Sequence, residues 1–272
     1  PISEALRDAL HTIDEAGLVF PLVAKPDKGQ RGAGVQKLRN EDDLGAYLES
    51  FPPGLEIVFQ ALADFPNEAG VMYYRYPGPD TAAIMSITIK EFPHVSGDGV
   101  RTLRELILAD PRARILQHIY CKRHAAQLDR VLANGEKFRL VFAGNHAQGT
   151  IFRDGTHLAT PQLLARLHEI ASSMPDFYFG RFDIRYTDLD AFLNGEDIHI
   201  VEINGAGAES THIWDARMTL AGAYRALFQQ WRVLFEIGAA NRKLGAKPLN
   251  PFRLLGDCIW YRDSSRGYPM AH

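Results

Sequence analysis

Cysteine is almost missing from this chain: Cys121 and Cys258 are the only two in 272 residues. They stand far apart without CxxC spacing and are too few for a disulfide framework, which suits a reducing cytosol. A long apolar run is missing too, so no segment is expected to span a bilayer. No secretory signal opens the chain, which begins at Pro1 rather than at methionine. Neither sign of charge dominates: 30 Lys and Arg face 33 Asp and Glu, for a net charge of −3. Such a balance argues against nucleic acid and against an anionic membrane surface as partners. Internal repeats and low-complexity stretches are also lacking. What remains is the ordinary composition of a globular protein, 46% hydrophobic, with enough chain for one large domain or two small ones.

Two strand-like runs in the C-terminal third carry the most chemistry. In Gly180-Arg181-Phe182-Asp183-Ile184-Arg185-Tyr186, alternation puts Arg181, Asp183 and Arg185 on one face and Phe182, Ile184 and Tyr186 on the other. In Ile198-His199-Ile200-Val201-Glu202-Ile203-Asn204-Gly205, strict alternation groups Ile198, Ile200, Glu202 and Asn204 on one face. If the two strands are neighbours, Asp183, Glu202 and Asn204 converge. Two carboxylates and an amide oxygen suit a hard cation such as Mg²⁺, which completes its shell with water and phosphate. The plain alternative for either run alone is an antiparallel pair with one solvated face.

A second feature lies near the start. Residues 18–25 read as a buried strand closed by Pro26, and Asp27-Lys28-Gly29-Gln30-Arg31-Gly32-Ala33-Gly34-Val35 follows as a glycine-rich loop. Its glycines allow tight turns and let backbone N–H groups approach phosphate oxygens. It is neither a Walker A loop nor a dinucleotide fingerprint, because Gly-Lys-Ser/Thr is missing and a strand, not a helix, comes next. A flexible hairpin is the alternative. Lys25, directly before the loop, puts a cation where the same phosphates would sit.

Elsewhere the patterning predicts helices over 2–16, stopped by Gly17, and over 41–50, capped by Asn40. Strands are expected over 56–62, 71–76 and 82–91; Lys90 falls among apolar residues as a strand-edge charge or a phosphate ligand. A helix with a capping box begins at Thr102-Leu103-Arg104-Glu105 and breaks at Asp110-Pro111. Residues 114–132 read as a longer helix, 135–152 as strands around Gly144-Asn145-His146, and 161–173 as an amphipathic helix. Residues 219–244 are apolar on half their circumference, as in a helix packed on a sheet. Membrane-surface attachment is the sharper reading of that helix, but its polar face mixes signs and the sheet-packed reading is preferred. Residues 248–272 show little periodicity and read as a tail.

The order of these features resembles the ATP-grasp superfamily of ATP-dependent ligases. Pro21-Leu22-Val23-Ala24-Lys25-Pro26 with the glycine loop resembles its phosphate-lid segment. Gly180-Arg181-Phe182-Asp183 and Glu202-Ile203-Asn204-Gly205 resemble the metal segment of D-alanine–D-alanine ligases. Gly97-Asp98-Gly99 through Thr102 to Glu105-Leu106-Ile107, then Asp110-Pro111, is similar to cyanophycin synthetase and bifunctional glutathione synthetase, as is the segment from Gly135-Glu136 through Asn145 to Gly149. The likeness covers about residues 18–214 and lies in the order of loose motifs.

It implies an α+β ATP-grasp fold, in which two subdomains with antiparallel sheets grip ATP between them. The expected division is a lid subdomain over 1–62, a large subdomain with the Mg site over 63–238 and a tail over 239–272. The resemblance assigns Lys25 and Lys90 to ATP phosphates. Gly29, Arg31, Gly32 and Gly34 belong to the lid, Gln60, Ala61 and Leu62 to the adenine hinge, and Glu68 to the ribose. Asp183, Glu202 and Asn204 would hold Mg²⁺ or Mn²⁺, and Arg181 would face the oxyanion of a tetrahedral intermediate. Arg139 is a weaker candidate for the phosphate or acyl end, and Ser210, Thr211 and His212 are placed by the acceptor substrate. The implied activity is ADP-forming carboxylate–amine ligation through an acyl phosphate, on an amino acid or peptide-like substrate, in the cytoplasm. Nucleic acid and stable membrane insertion are not expected, and a homodimer is left open. Two departures stand out: no proline follows Asn204 as it does in many relatives, and only 24 residues precede Lys25 where the family has a substrate domain and a further lysine. A truncated or shortened member is therefore expected, and a non-catalytic nucleotide-binding module is the competing reading.

Overall fold

A computed structural model describes residues 3–29, 32–78, 81–142 and 144–269. Its first elements are α1 (Glu4–Glu15), β1 (Leu22–Pro26), β2 (Gln36–Leu38), α2 (Glu41–Ser50) and β3 (Ile57–Ala61). Next come β4 (Asn67–Arg75), β5 (Ala82–Glu91), β6 (His94–Ser96), α3 (Leu103–Ala109), α4 (Gln117–Arg123), β7 (Lys137–Arg139) and β8 (Ile151–Asp154). The chain continues through α5 (Pro161–Ser172), β9 (Phe179–Tyr186), α6 (Leu189–Asn194), β10 (Ile198–Asn204), α7 (Leu220–Lys243) and α8 (Pro251–Ser264). Helices and antiparallel sheets are mixed, an α+β architecture. The chain divides into two compact units, residues 1–62 with 249–272, and residues 63–248.

In the first unit the strands run in the order β2-β1-β3, both pairings antiparallel. Leu22, Ala24 and Leu38 meet Ala9 and Ile13 of α1 and Leu44 and Tyr47 of α2 in a buried core. Asn40 caps α2 by accepting from the Asp43 N–H at 3.0 Å, the local bond its sequence position predicts. The strand of 18–25 is shorter than expected. Leu18 N–H donates back to Ile13 O at 3.0 Å and so closes α1, which leaves β1 to begin at Leu22. Residues 251–264, with little periodicity, nevertheless form α8, started by the Asn250 cap and Pro251 at the first turn. Tyr268 beyond it stacks on Phe51 (5.7 Å, 11°) at the edge of this unit's core.

The second unit is built on a five-stranded antiparallel sheet in the order β10-β9-β4-β5-β8. One face is apolar: Ala69, Val71 and Tyr73 of β4, Ile87 of β5, and Phe182 and Ile184 of β9. α5 lays Leu163, Leu167 and Ala171 on it, three and four residues apart as a helical stripe requires, and α6 adds Phe192. Phe182 is fully buried, with Phe177 at 5.3 Å and Tyr73 at 5.8 Å in edge-on contact. A second core gathers α3, α4 and the β6–β7 pair through Leu103, Ile107, Tyr120, Leu132 and Leu140.

The long helix expected over 114–132 is broken. The first two amides of α3, on Leu103 and Arg104, donate to the carbonyls of Arg130 and Leu128 at 2.9 and 3.0 Å, so these carbonyls serve α3 rather than a continuing helix. The predicted capping box between Thr102 and Glu105 is present in full.

Candidate functional site

The opposite face of the five-stranded sheet holds the charged residues. Alternation puts Glu68, Gly70 and Met72 of β4 on it, beside Arg185, Asp183 and Arg181 of β9 and Lys90, Thr88 and Ser86 of β5. One row thus reads Arg185–Glu68–Lys90 across three strands, and the next reads Asp183–Gly70–Thr88.

β10 joins through a bulge. Ile198 and Ile200 pair with Tyr186 and Ile184 and pack against the apolar core, so they do not share a face with Glu202 and Asn204, as strict alternation would have it. The register slips at Val201, and one extra residue turns Glu202 opposite Asp183 and Asn204 opposite Arg181. Without that slip, a one-residue change of phase would point both polar side chains at the core.

The charges interlock. Lys90 Nζ lies 2.7 Å from Glu68 Oε1 and 3.1 Å from Asp183 Oδ1. Arg181 grips Asp183 through Nε at 3.0 Å and Nη2 at 3.2 Å. On the far side of Glu68, Arg185 Nε reaches Oε2 at 3.3 Å, while its other nitrogens donate to Ala63 O at 2.9 Å and Phe142 O at 2.6 Å. Glu68, Lys90, Asp183 and Arg185 are all buried. Burial alone would raise the Asp183 pKa, but Lys90 and then Arg181 outweigh it and hold the carboxyl below its ordinary value. Burial would likewise lower the Lys90 pKa, and Asp183 and Glu68 together reverse that. Lys90 is therefore an interior ion-pair residue on a strand flanked by β4 and β8, not a strand-edge charge.

Room for this cluster comes from Gly70. A Cβ there would stand 3.1 Å from both Asp183 Oδ1 and Arg181 Cδ. Gly144 closes over the other end, where a Cβ would come 2.6 Å from Glu68 Oε1 and 2.8 Å from Lys90 Cδ. At the open side Glu202 is exposed and Asn204 half-buried. The Asn204 amide fits in two orientations. In one, Nδ2 donates to Asp183 Oδ2 at 3.3 Å. In the other it donates to Glu202 Oε1 at 3.2 Å while Oδ1 accepts from Arg181 Nη2 at 3.3 Å.

Asp183, Glu202 and Asn204 offer hard oxygen donors, which fits a cation sharing its shell with water or phosphate. Among the described residues no group of three or more His, Cys, Asp or Glu is assembled to hold a metal.

The segment after β10 folds back over this face. Arg181 Nη1 donates to Glu209 O at 3.0 Å. Gln230 of α7 clamps the segment on either side: its Nε2 donates to Ala208 O and its Oε1 accepts from Ser210 N, both at 2.9 Å. Thr211 Oγ1 donates to Thr88 Oγ1 at 3.0 Å. Ser210 and His212 are buried, and burial pushes the His212 imidazole below its ordinary pKa. Arg139, the last residue of β7, is turned to the chain just after it: it donates to Val141 O at 2.8 Å and Phe142 O at 3.0 Å and stacks on Phe92 at 3.3 Å. Burial, with Arg185 nearby, brings its pKa down to about 10.

In the first unit Lys25 lies on β1 opposite Val58 and donates through Nζ to Gln60 Oε1 at 2.8 Å. Ala61 ends β3 and Leu62 follows it. Gly32 and Gly34 of the loop have φ of +74° and +73°, which a side chain rarely adopts. The Gly34 N–H donates to Pro269 O at 3.1 Å, and Tyr268 Oη donates to Lys28 O at 2.7 Å. Gly29 is exposed in the same loop, and Arg31 lies outside the described residues.

The sequence matches no protein-family model and no curated protein. Solved structures do resemble it. A bifunctional glutathione synthetase from Pasteurella multocida aligns at 16% identity and a TM-score of 0.38, over 85% of this chain and 33% of that one. A VanG D-Ala:D-Ser ligase from Enterococcus faecalis aligns at 15% identity and 0.41, over 84% and 54%. A D-alanine–D-alanine ligase from Bacillus anthracis aligns at 16% and 0.45, over 87% and 60%. The chain thus spans between 33% and 60% of the length of the structures it resembles.

Arg185, Gly70 and Gln230 were not singled out by the sequence. Arg185 carried a signal, since it alternates with Asp183 on one face. Gln230 carried another, as a polar residue three and seven positions before the inward Val233 and Ile237. Gly70 carried none, because its importance arises from its neighbours on β9.

Proposed function

We propose that this chain is an ATP-dependent carboxylate–amine ligase working through an acyl phosphate. The observation that carries the reading is the ion-paired cluster of Lys90, Asp183 and Arg181 on one sheet face, with the β10 bulge bringing Glu202 and Asn204 opposite the last two. Lys25 and the backbone of the glycine loop bind phosphates in this reading, and the chain around Gln60 to Leu62 bonds the adenine. Asp183, Glu202 and Asn204 hold Mg²⁺, which when bound neutralises phosphate charge. Glu68 acts here as the partner that positions Lys90, since its carboxylate is buried and paired on both oxygens.

The carboxylate substrate attacks the γ-phosphorus, an oxygen–phosphorus bond forms, and ADP leaves. The amine then adds to the acyl carbon, gives up a proton, and phosphate departs. Arg181 is the group on this face suited to the oxyanion that builds up in the second step, worth roughly 10²-fold or more in rate. Its hold on Glu209 O fixes its orientation before substrate arrives. Ser210 to His212 lie on the same segment and are proposed to shape the acceptor side.

A non-catalytic nucleotide-binding module is the second reading. It is favoured by the engagement of both Asp183 oxygens with Lys90 and Arg181, which a catalytic cation must partly displace. Calorimetry with a non-hydrolysable ATP analogue, with and without Mg²⁺, tests the shared part. Wild type should bind in the presence of Mg²⁺, with Glu202→Ala at least about tenfold weaker and Arg181→Ala nearly unchanged. No binding by wild type overturns both readings. Binding without ADP release on any amino acid or peptide pair selects the module.

A further inference from the structure

α7 rests on the sheet through a narrow face. Val233 and Ile237 pack with Met72 of β4 and Phe179 of β9. Leu220, Tyr224, Phe228, Trp231 and Phe235, which the sequence assigned to sheet packing, are instead between 49% and 75% exposed. The same narrow face buries a polar residue. Gln230, three and seven positions before Val233 and Ile237, is only 3% exposed. Burying an amide is unfavourable unless its donor and acceptor are both used.

Both ends of the Gln230 amide are used, and on one short stretch of backbone. Nε2 donates to Ala208 O and Oε1 accepts from the Ser210 N–H, both at 2.9 Å. Taking the carbonyl of one residue and the N–H of the next but one is what a strand residue does in a parallel ladder. Such a grip leaves the residue between, Glu209, with its own carbonyl on the other side. There Arg181 Nη1 donates to Glu209 O at 3.0 Å. The Glu209 side chain is held separately, accepting from Trp214 Nε1 at 3.1 Å. Asp183 therefore anchors two nitrogens of the Arg181 guanidinium, Nε and Nη2, while Glu209 O anchors the third. The peptide that carries this third anchor is the one that Gln230 grips on both sides.

We propose that Gln230 is a positioning residue for Arg181: it fixes the backbone of 208–210 so that the Glu209 carbonyl holds the guanidinium plane in one orientation. Gln230 itself touches no substrate; it acts from α7 through one peptide group. A side chain of the same size without the amide would fill the same space and leave the Ala208 carbonyl and the Ser210 N–H without this partner. The consequence for turnover rests on the ligase reading, because only there does Arg181 meet an oxyanion. The consequence for Arg181 itself does not.

Carbon-detected NMR of arginine side chains in the full chain follows Arg181 directly, its signal identified by its loss in Arg181→Lys. Gln230→Met keeps the volume and removes both bonds, and circular dichroism verifies that it stays folded. It should shift or broaden the Arg181 signal while leaving the affinity for the ATP analogue with Mg²⁺ near that of wild type. With an amino acid or peptide pair that releases ADP, its kcat should fall about tenfold or more with KM for ATP little changed. Gln230→Glu keeps the shape, and its carboxyl makes the same two bonds when protonated, the form that burial favours. At about pH 5 its Arg181 signal should match wild type, and by about pH 8 it should depart from wild type at that pH as ionisation removes the donor to Ala208 O. A folded Gln230→Met with the wild-type Arg181 signal, or with the wild-type kcat, overturns the proposal. If Gln230→Met does not fold, Gln230→Glu decides, and a signal equal to wild type at both pH values overturns it. If wild type binds no analogue, the ligase reading fails and the Arg181 signal alone decides the positioning role.

Discussion

The two faces of the five-stranded sheet are made by the same strands and obey different physics. On one, Phe182, Ile184, Val71 and Ile87 fill space under α5, and their stability comes from apolar area removed from water. On the other, Arg181, Asp183, Glu68 and Lys90 are nearly as buried, but each is there because a neighbour of opposite charge is within about 3 Å. Position 182 tolerates exchange of shape at a cost in packing. Position 183, one residue on, tolerates no loss of partner without stranding a charge. The apolar face can be repaired locally; the charged face is one network, and its parts fail together.

The comparison can be broken most directly on the apolar side. Phe182→Ala is expected to lower stability by about 3–5 kcal/mol, the range for emptying a fully packed aromatic site, read by urea denaturation. A loss below about 1 kcal/mol would show that the α5 face is loosely packed and that the contrast is overdrawn.

On the charged side, Lys90→Met should cost about 3 kcal/mol, because Glu68 and Asp183 keep their charges and lose their shared cation. The pH dependence sharpens this. Asp183 is held below its ordinary value of 3.8, so its contribution is present above that pH and is lost as pH falls through the lower folded-state value. Wild type should therefore lose stability over the window below about pH 3.8, and Lys90→Met should show a flatter slope there, measured by denaturation across a pH series. Equal slopes in the two proteins would mean that Lys90 does not set the Asp183 charge.

Gly70→Ala should give the smallest effect on folding, roughly 1 kcal/mol, since the intruding methyl meets Asp183 and Arg181 at 3.1 Å and both can shift slightly. Its larger consequence should be on binding of the ATP analogue in the presence of Mg²⁺. A variant that binds as wild type does would show that the spacing over Gly70 is not part of the site.

Much of this was written locally. The Asn40 cap, the Thr102–Glu105 box and the stripe of α5 need only short-range bonds and helical periodicity, and all three stand where the residues put them. The alternation of β9, with Arg181 and Asp183 on one face and Phe182 and Ile184 on the other, is equally local. Other features depended on partners far along the chain. Glu202 and Asn204 reach the charged face through a bulge at Val201, which exists because β10 must pair with β9 at both ends. Lys90 meets Glu68 because β5 lies beside β4, and Gly70 matters because β9 lies on the other side. The helix expected over 114–132 broke because carbonyls in its second half serve α3. The apolar side of α7 was legible as apolar, yet which way it faces was not, since periodicity marks a stripe without naming what covers it. The sequence by itself determined which side chains share a face of each helix and strand, because that follows from bond geometry. Only the tertiary structure decided which faces meet, where the register slips and which charges lose their water, because those depend on pairings between residues distant in the chain.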